Sequence, residues 1–179
     1  MRFALTGSHG VGKTSVISEL DDWLSNKGIK CIYNSSNARK IKKAGLSIND
    51  DGDDFVQLVV ASSHISHFSE NGWFADRSIL DCYAYGEYLY KQGKITKDCN
   101  LAVTYLLESF IREYSKIFYI PIEFKMVSDG VRKEDESFQK EIDDIIHQKL
   151  ITTGVDYELI TGTVEDRCQQ IQKIIKRLC

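Results

Sequence analysis

The chain has 179 residues, 42% of them hydrophobic and 27% charged, with a formal charge of −3 and a pI near 5.8. That length suits one domain over residues 1–179 with a full core, and the composition lacks repeats and low-complexity tracts. The acidic balance argues against a surface built for non-specific contact with nucleic acid or membrane, and favours a small ligand.

Residues 2–6 (RFALT) read as an apolar strand that runs straight into glycines, with no signal-peptide core or membrane span, so a cytoplasmic location is expected. The next stretch, GSHGVGKTS, fits G-x-x-x-x-G-K-[ST] with Gly7, Gly12, Lys13 and Thr14 in place, after a strand and before a helix. Glycines let backbone N–H groups turn around phosphate oxygens, the helix start adds its positive dipole, Lys13 reaches the terminal phosphates and Thr14 offers a hydroxyl to Mg²⁺. The residues Gly7, Ser8, His9, Gly10, Val11, Gly12, Lys13, Thr14 and Ser15 are therefore expected to bind ATP, with Mg²⁺ as the companion ion. His9 could contact phosphate or face water, and solvent is the expectation.

A helix from Lys13 to Asn26 ends at Gly28, and IKCIY (29–33) is a second strand. ARKIKKAG and DDFVQLVVASSHISHFSE read as helices, the second with an apolar set at Phe55, Val56, Val59, Val60 and Phe68. The acidic NDDGDD before it is read as a helix N-terminus rather than a calcium loop. His64 and His67 stand one turn apart, but no third ligand is spaced to join them, so no metal is expected there.

Trp73, Phe74 and Ala75 form a third strand, from whose tip Asp76 and Arg77 emerge together. Beside a bound nucleotide, Asp76 can reach hydrated magnesium, partly through water, while a strand-end Asp that caps the next helix is the alternative. Arg77 is a natural fork for a second phosphate or a polar substrate group. Helices near 79–92 and 98–115, the strand KIFYIPI, a helix near 135–150, the strand DYELI and a last helix complete the chain. Thr163 and Asp166 resemble a capping box, and Val164, Ile171, Ile174, Ile175 and Leu178 give the last helix its apolar face. The five cysteines, at 31, 82, 99, 168 and 179, are odd in number with no CxxC pair, and are read as reduced packing residues. Five strands alternating with helices imply an α/β fold with a parallel sheet covered on both faces, where ligands sit at the carboxyl ends of the strands.

DRSILDCYAY resembles the DRY-x-x-S-x-x-AY pattern of thymidylate kinases and, more loosely, the ERS motif of deoxynucleoside kinases, in both of which the arginine holds substrate; the serine four residues beyond the arginine is Asp81 here. In order along the chain, TGSHGVGKTS, ARKIKKAGLSIN with the later Gln57, DRSILDCYAYGEYL and DGVRKEDESFQKEID resemble the compact AAA_28-type kinases and predicted ATPases, a group that includes nicotinamide riboside kinase domains and many bacteriophage proteins. The resemblance implies a three-layer P-loop NTPase fold, a mostly parallel five-stranded sheet flanked by helices, with a small helical lid at about residues 125–150. It implies that Lys13, Asp76, Arg77 and Arg132 serve catalysis, Arg132 from a mobile lid hinged near Asp129 and Gly130. Arg39, Gln57, Arg77 and Tyr85 would bind substrate, and Arg167 would lie near the adenine. On the residues alone, Arg39 and its lysine neighbours could equally be a solvated helix face, Gln57 ordinarily would point at water, and tyrosines 83, 85 and 88 could stack a base or fill the core.

Nucleoside kinases often carry a glutamate base after the second strand, whereas this chain has NSSNAR, with Ser35 and Ser36 at that place. A hydroxyl acceptor needs its proton removed and a phosphate acceptor does not, which tilts the expectation toward a nucleoside monophosphate unless Asp76 is the base. The leading expectation is an ATP-dependent transfer of the γ-phosphoryl group to a small nucleotide or nucleoside. A kinase of nucleic-acid ends or bases and a regulatory ATP-binding module are the alternatives. Neither a membrane nor a nucleic-acid partner is expected, and a homodimer stays open.

Overall fold

The computed structural model describes residues 1–34, 43, 45, 52–124 and 136–178. Along the chain these form β1 (Arg2–Thr6), α1 (Lys13–Ser25), β2 (Lys30–Ile32), α2 (Asp54–Ile65), β3 (Trp73–Ala75) and α3 (Ile79–Lys91). Then follow α4 (Lys97–Phe110), a short 3-10 turn (Ile111–Glu113), β4 (Lys116–Tyr119), α5 (Glu136–Thr153), β5 (Tyr157–Leu159) and α6 (Val164–Leu178). The ARKIKKAG segment lies outside the described residues, apart from Lys43 and Gly45.

All five strands are parallel, in the order β2-β3-β1-β4-β5. β1 sits at the centre because its residues are apolar on both faces; Phe3, Ala4 and Leu5 are fully buried. Side chains alternate across the sheet. Phe3, Leu5, Phe74 and Phe118 pack with Val16, Ile17 and Leu20 of α1 and Ile171 and Ile175 of α6. Ala4, Ala75, Ile117 and Tyr119 face the opposite layer, where α2, α3, α4 and α5 supply Ala61, Leu80, Leu107 and Ile146. The outcome is a three-layer α/β fold in which residues 7–12, 33–34, 76–77 and 120–124 all follow the carboxyl end of a strand.

Two helix faces differ from the sequence reading. On α2 the buried stripe is Val56, Gln57, Ala61 and His64, while Phe55 is 62% exposed. The helix is rotated so that two polar side chains enter the interior. On α6 the stripe is Arg167, Cys168, Ile171 and Ile175, with Val164 and Leu178 at its exposed ends. The Thr163–Asp166 capping box is formed: the Thr163 amide and hydroxyl donate to Asp166 Oδ2 at 3.0 and 2.7 Å, and the Asp166 amide returns to Thr163 Oγ1 at 3.2 Å. Of the segment read as a lid, residues 136–150 lie in α5, with Phe138, Ile142, Ile145, Ile146 and Leu150 in the core; residues 125–135 lie outside the described residues. No helix among the described residues is long and apolar enough to cross a membrane.

Candidate active site

Residues 7–12 carry the chain from β1 to α1. Gly7, Gly10 and Gly12 hold φ angles of 147°, 78° and 88°, which side-chain-bearing residues rarely adopt. Gly7 is further constrained by space, since a Cβ there would lie 2.3 Å from the Ile120 carbonyl oxygen. Gly12 caps α1 without a side-chain hydrogen bond, and the first turn of α1 holds no acid. By contrast α2, α3 and α4 are capped by the side chains of Asp53, Ser78 and Thr96. The first amides of α1 and its positive end are thus left for an anion.

Two braces fix the loop from outside. Arg167, 3% exposed, donates from Nη1 to the Val11 carbonyl at 2.6 Å and from Nη2 to Glu123 Oε2 at 2.6 Å. Gln139 of α5 donates to the His9 carbonyl at 2.6 Å. In a trans peptide the N–H points opposite to the C=O, so pinning these two carbonyls aims the amides of Gly12 and Gly10 the other way. Lys13 is buried and curls over the loop, donating from Nζ to the Gly7 and Ser8 carbonyls at 2.6 Å each. Ser8 is fully buried, Thr14 half-buried and Ser15 exposed.

His9 is 4% exposed, which overturns the expectation that it faces water. Its Nδ1 lies 3.0 Å from the Tyr85 hydroxyl, and its ring centroid lies 4.9 Å from that of Phe138. The imidazole is shielded because α3 and α5 close over this side of the loop.

Asp76 follows β3, which pairs with β1 through Ala75 and Ala4, so its carboxylate sits beside the phosphate loop at 1% exposure. It does not cap the next helix. That role falls to Ser78 and Asp81, a capping box in which Asp81 Oδ2 accepts from the Ser78 amide at 2.9 Å and from Thr6 Oγ1 at 2.6 Å. The aspartate that departs from the thymidylate-kinase pattern therefore ties the start of α3 to the end of β1. The Thr14 hydroxyl and the Asp76 carboxylate are hard oxygen donors flanking the loop, a donor chemistry that fits Mg²⁺.

Arg77, Gln57 and Tyr85 meet in one cavity of about 70 Å³, to which Asn34 and His64 also contribute. This is space for roughly five waters, the scale of one heterocyclic ring. Arg77 Nη1 lies 3.7 Å from Asp81 Oδ1, and its guanidinium carbon sits 5.7 Å from the Tyr85 ring centroid. Burial disfavours its charge, but Tyr85, Asp81 and Asp76 outweigh that and raise its pKa. Gln57 is 5% exposed rather than turned to water, and donates from Nε2 to the Cys82 carbonyl at 2.7 Å. Gly86 makes room for it, since a Cβ at that position would come within 2.9 Å of Gln57 Nε2.

Sequence reasoning missed Asn34 and His64. Asn34 follows β2 and is 2% exposed; its Nδ2 donates to the Arg77 carbonyl at 3.1 Å, while Oδ1 is buried with no hydrogen-bond partner. A polar residue where a strand meets the carboxyl edge of the sheet was the available signal. His64 Nδ1 lies 2.8 Å from the Ser78 carbonyl, which can only accept, so Nδ1 carries the proton; burial lowers the pKa and keeps the ring neutral. Tyr83 and Tyr88 go elsewhere, to Lys149 at 4.7 Å and Phe138 at 4.7 Å. Arg39 and Arg132 lie outside the described residues, as do Ser35, Ser36, Asp129 and Gly130. On the other side of the loop, next to Arg167, a wider cavity of about 510 Å³ is lined by Glu123, Phe124, Gln139, Lys140 and Asp143, among others.

Comparison with known proteins agrees with this layout. The AAA_28 profile, described as an AAA domain, matches residues 2–167. No curated protein sequence matches the chain. Among solved structures, deoxyadenosine kinase from M. mycoides with bound dATP is similar at a TM-score of 0.71 and 12% identity, over 98% of this chain and 99% of that one. Thymidylate kinase from Candida albicans gives 0.69 and 17%, over 98% and 91%. NadR in complex with NR gives 0.69 and 16%, over 98% of this chain and 50% of that one. At such identities the likeness establishes the P-loop kinase fold.

Proposed function

We propose, from the premise that this chain belongs to the AAA_28 family of AAA domains, that it is an ATP-dependent phosphotransferase moving the γ-phosphoryl group to a small nucleotide or nucleoside, with a nucleoside monophosphate favoured. One observation carries the reading: a braced phosphate loop and a buried cavity lined by Arg77 lie along one sheet edge, joined by the contact of His9 with Tyr85. A donor site and an acceptor site so close are what transfer between two bound molecules requires.

In this reading the amides of residues 8–14 hold the phosphates, and Lys13 leaves its two loop carbonyls to neutralise charge on the terminal phosphates. Thr14, and Asp76 through water, would hold Mg²⁺, which when bound supplies charge neutralisation to the phosphates. Arg77 orients the acceptor. Where a glutamate base would stand after β2 the sequence has Ser35 and Ser36, neither of them a carboxylate, and this supports an acceptor that is already a phosphate. Arg39 and Arg132 are proposed to join from the acceptor side and the lid, and Arg167 to hold the loop beside the adenine. The setting that goes with this reading is a cytoplasmic enzyme of nucleotide metabolism.

The test is ATP consumption with Mg²⁺ against nucleosides, nucleoside monophosphates, nicotinamide riboside and DNA oligonucleotides. One small acceptor is expected to stimulate turnover, with Lys13→Ala lowering the rate by at least about a hundredfold. Stimulation by DNA ends alone would move the acceptor to nucleic acid. Bound ATP with no stimulation by any acceptor would sink the kinase reading in favour of a regulatory ATPase.

A further inference from the structure

Tyr85 stands where the phosphate loop and the Arg77 cavity meet. It is buried, with its ring edge-on to Phe138 of α5 at 5.8 Å and its hydroxyl 3.0 Å from His9 Nδ1. The same phenol meets Arg77: the guanidinium carbon lies 5.7 Å from the ring centroid, and a side-chain hydrogen bond joins the two residues. A guanidinium only donates, so the Tyr85 oxygen accepts from Arg77. The contact with His9 then forms in either tautomer, since a bare Nδ1 accepts the phenol hydrogen and a protonated Nδ1 donates to the second lone pair. One oxygen atom thus bonds both a residue of the donor loop and the cation of the acceptor cavity. His9 itself is held by α5, through the Gln139 bond to its carbonyl at 2.6 Å and the ring of Phe138 at 4.9 Å. Phosphate reaches it through the Ser8–His9 peptide. On one edge of that plane the Ser8 carbonyl accepts from Lys13 Nζ at 2.6 Å; on the opposite edge is the His9 amide, one of the loop N–H groups proposed to hold phosphate. A triphosphate that draws Lys13 away and takes the loop amides acts on both edges at once, and so on the imidazole that bonds Tyr85.

We infer, resting on the acceptor reading above, that Tyr85 is a positioning residue through which phosphate in the donor loop orders Arg77, so that ATP and the acceptor each bind more tightly when the other is present. Fixing one end of a hydrogen-bonded chain lowers the entropy cost of binding at the other end, and such coupling is reciprocal. Two bound anions also repel one another, but they do so whichever side chain stands at position 85. The part due to the hydroxyl is therefore the difference between the wild type and Tyr85→Phe.

The experiment titrates the deoxynucleoside 5′-monophosphates and their nucleosides into the full chain with Mg²⁺, in the presence and absence of the β,γ-imido analogue of ATP. A probe that binds is expected to do so at least about fivefold tighter with the analogue present, and Tyr85→Phe to bring that ratio below about twofold. A hydroxyl that only touched the acceptor would weaken binding equally in both states, which overturns the inference, as does a wild-type ratio near one. The second readout needs no acceptor: the ¹⁵N resonance of Arg77 Nε, assigned by its loss in Arg77→Lys, is expected to move when the analogue binds the wild type and to move far less in Tyr85→Phe. His9→Leu breaks the same link from the loop side and serves should Tyr85→Phe misfold, with a cooperative melt as the folding control. If both fold, the double variant is expected to lose no more coupling than either single one. An Arg77 signal that follows the analogue through Tyr85 while no probe binds would remove the acceptor reading and leave the link standing. Probes that bind alike in both states would keep the acceptor reading and overturn the link, and silence in both readouts overturns both.

Discussion

At the scale of single residues, Gly7 shows how one missing atom sets the site. Its φ of 147° is strained for other residues, and its α-carbon packs so near the Ile120 carbonyl that a methyl group cannot enter. Gly7→Ala is expected to cost about 1–3 kcal/mol of stability and to weaken ATP binding further, because relief comes only by moving the loop or the end of β4. Thermal melts with and without nucleotide check both parts; a variant with unchanged melting and unchanged ATP affinity would contradict this account. The loop glycines were legible in the sequence because their spacing is the signal. His9 and Gln57 were not, since a polar residue on a short segment reads as solvent-facing until tertiary packing covers it. Asn34 was hidden for a related reason: its burial comes from packing against the turn at Arg77, 43 residues away in the chain, and its place at the sheet edge was the one hint of it.

At the scale of elements, α6 acts on the phosphate loop through Arg167. The guanidinium ties the Val11 carbonyl to Glu123, and the same carboxylate accepts the Gly162 amide at 3.0 Å, so one ion pair locks β5–α6 to the loop. Arg167→Met keeps the length of the side chain but strands a carboxylate and a carbonyl. A loss of about 3 kcal/mol follows, seen as a melting drop of about 6–12 °C, with weaker ATP binding. Unaltered ATP affinity in a destabilised variant would make Arg167 structural alone. The order and kind of the strands and helices were legible from apolar runs and turn residues. The rotation of α2 was not, because Phe55, Val56, Val59 and Val60 suggest one apolar face and only packing against α3 decides which of them turns inward.

At the scale of the whole molecule, two imidazoles on the α2 side, His64 buried and His67 half-buried, make the fold sensitive to acid. Burial pushes the pKa of His67 down from 6.5 to about 4, against the edge of Trp73, and lowers that of His64 in the same direction. Between those values the unfolded chain holds protons that the folded chain refuses. Stability is therefore full above pH 6.5 and is lost as pH falls toward 4. His67→Phe is expected to flatten the decline in melting temperature through that window, and an equally steep decline in the variant would remove His67 as its source.

The central position of β1 has a consequence for how the protein is made. Arg2 pairs with Trp73, and Phe3 with Lys116, so the first of this sheet's five strands in chain order is flanked by strands that arrive much later. At roughly 5–20 residues per second, its second neighbour leaves the ribosome about 6–23 s after β1 does. Until β3 emerges Phe3, Ala4 and Leu5 are an unpaired apolar segment on a nascent chain, and for the rest of that interval one edge of β1 stays open to whatever chaperone first meets it.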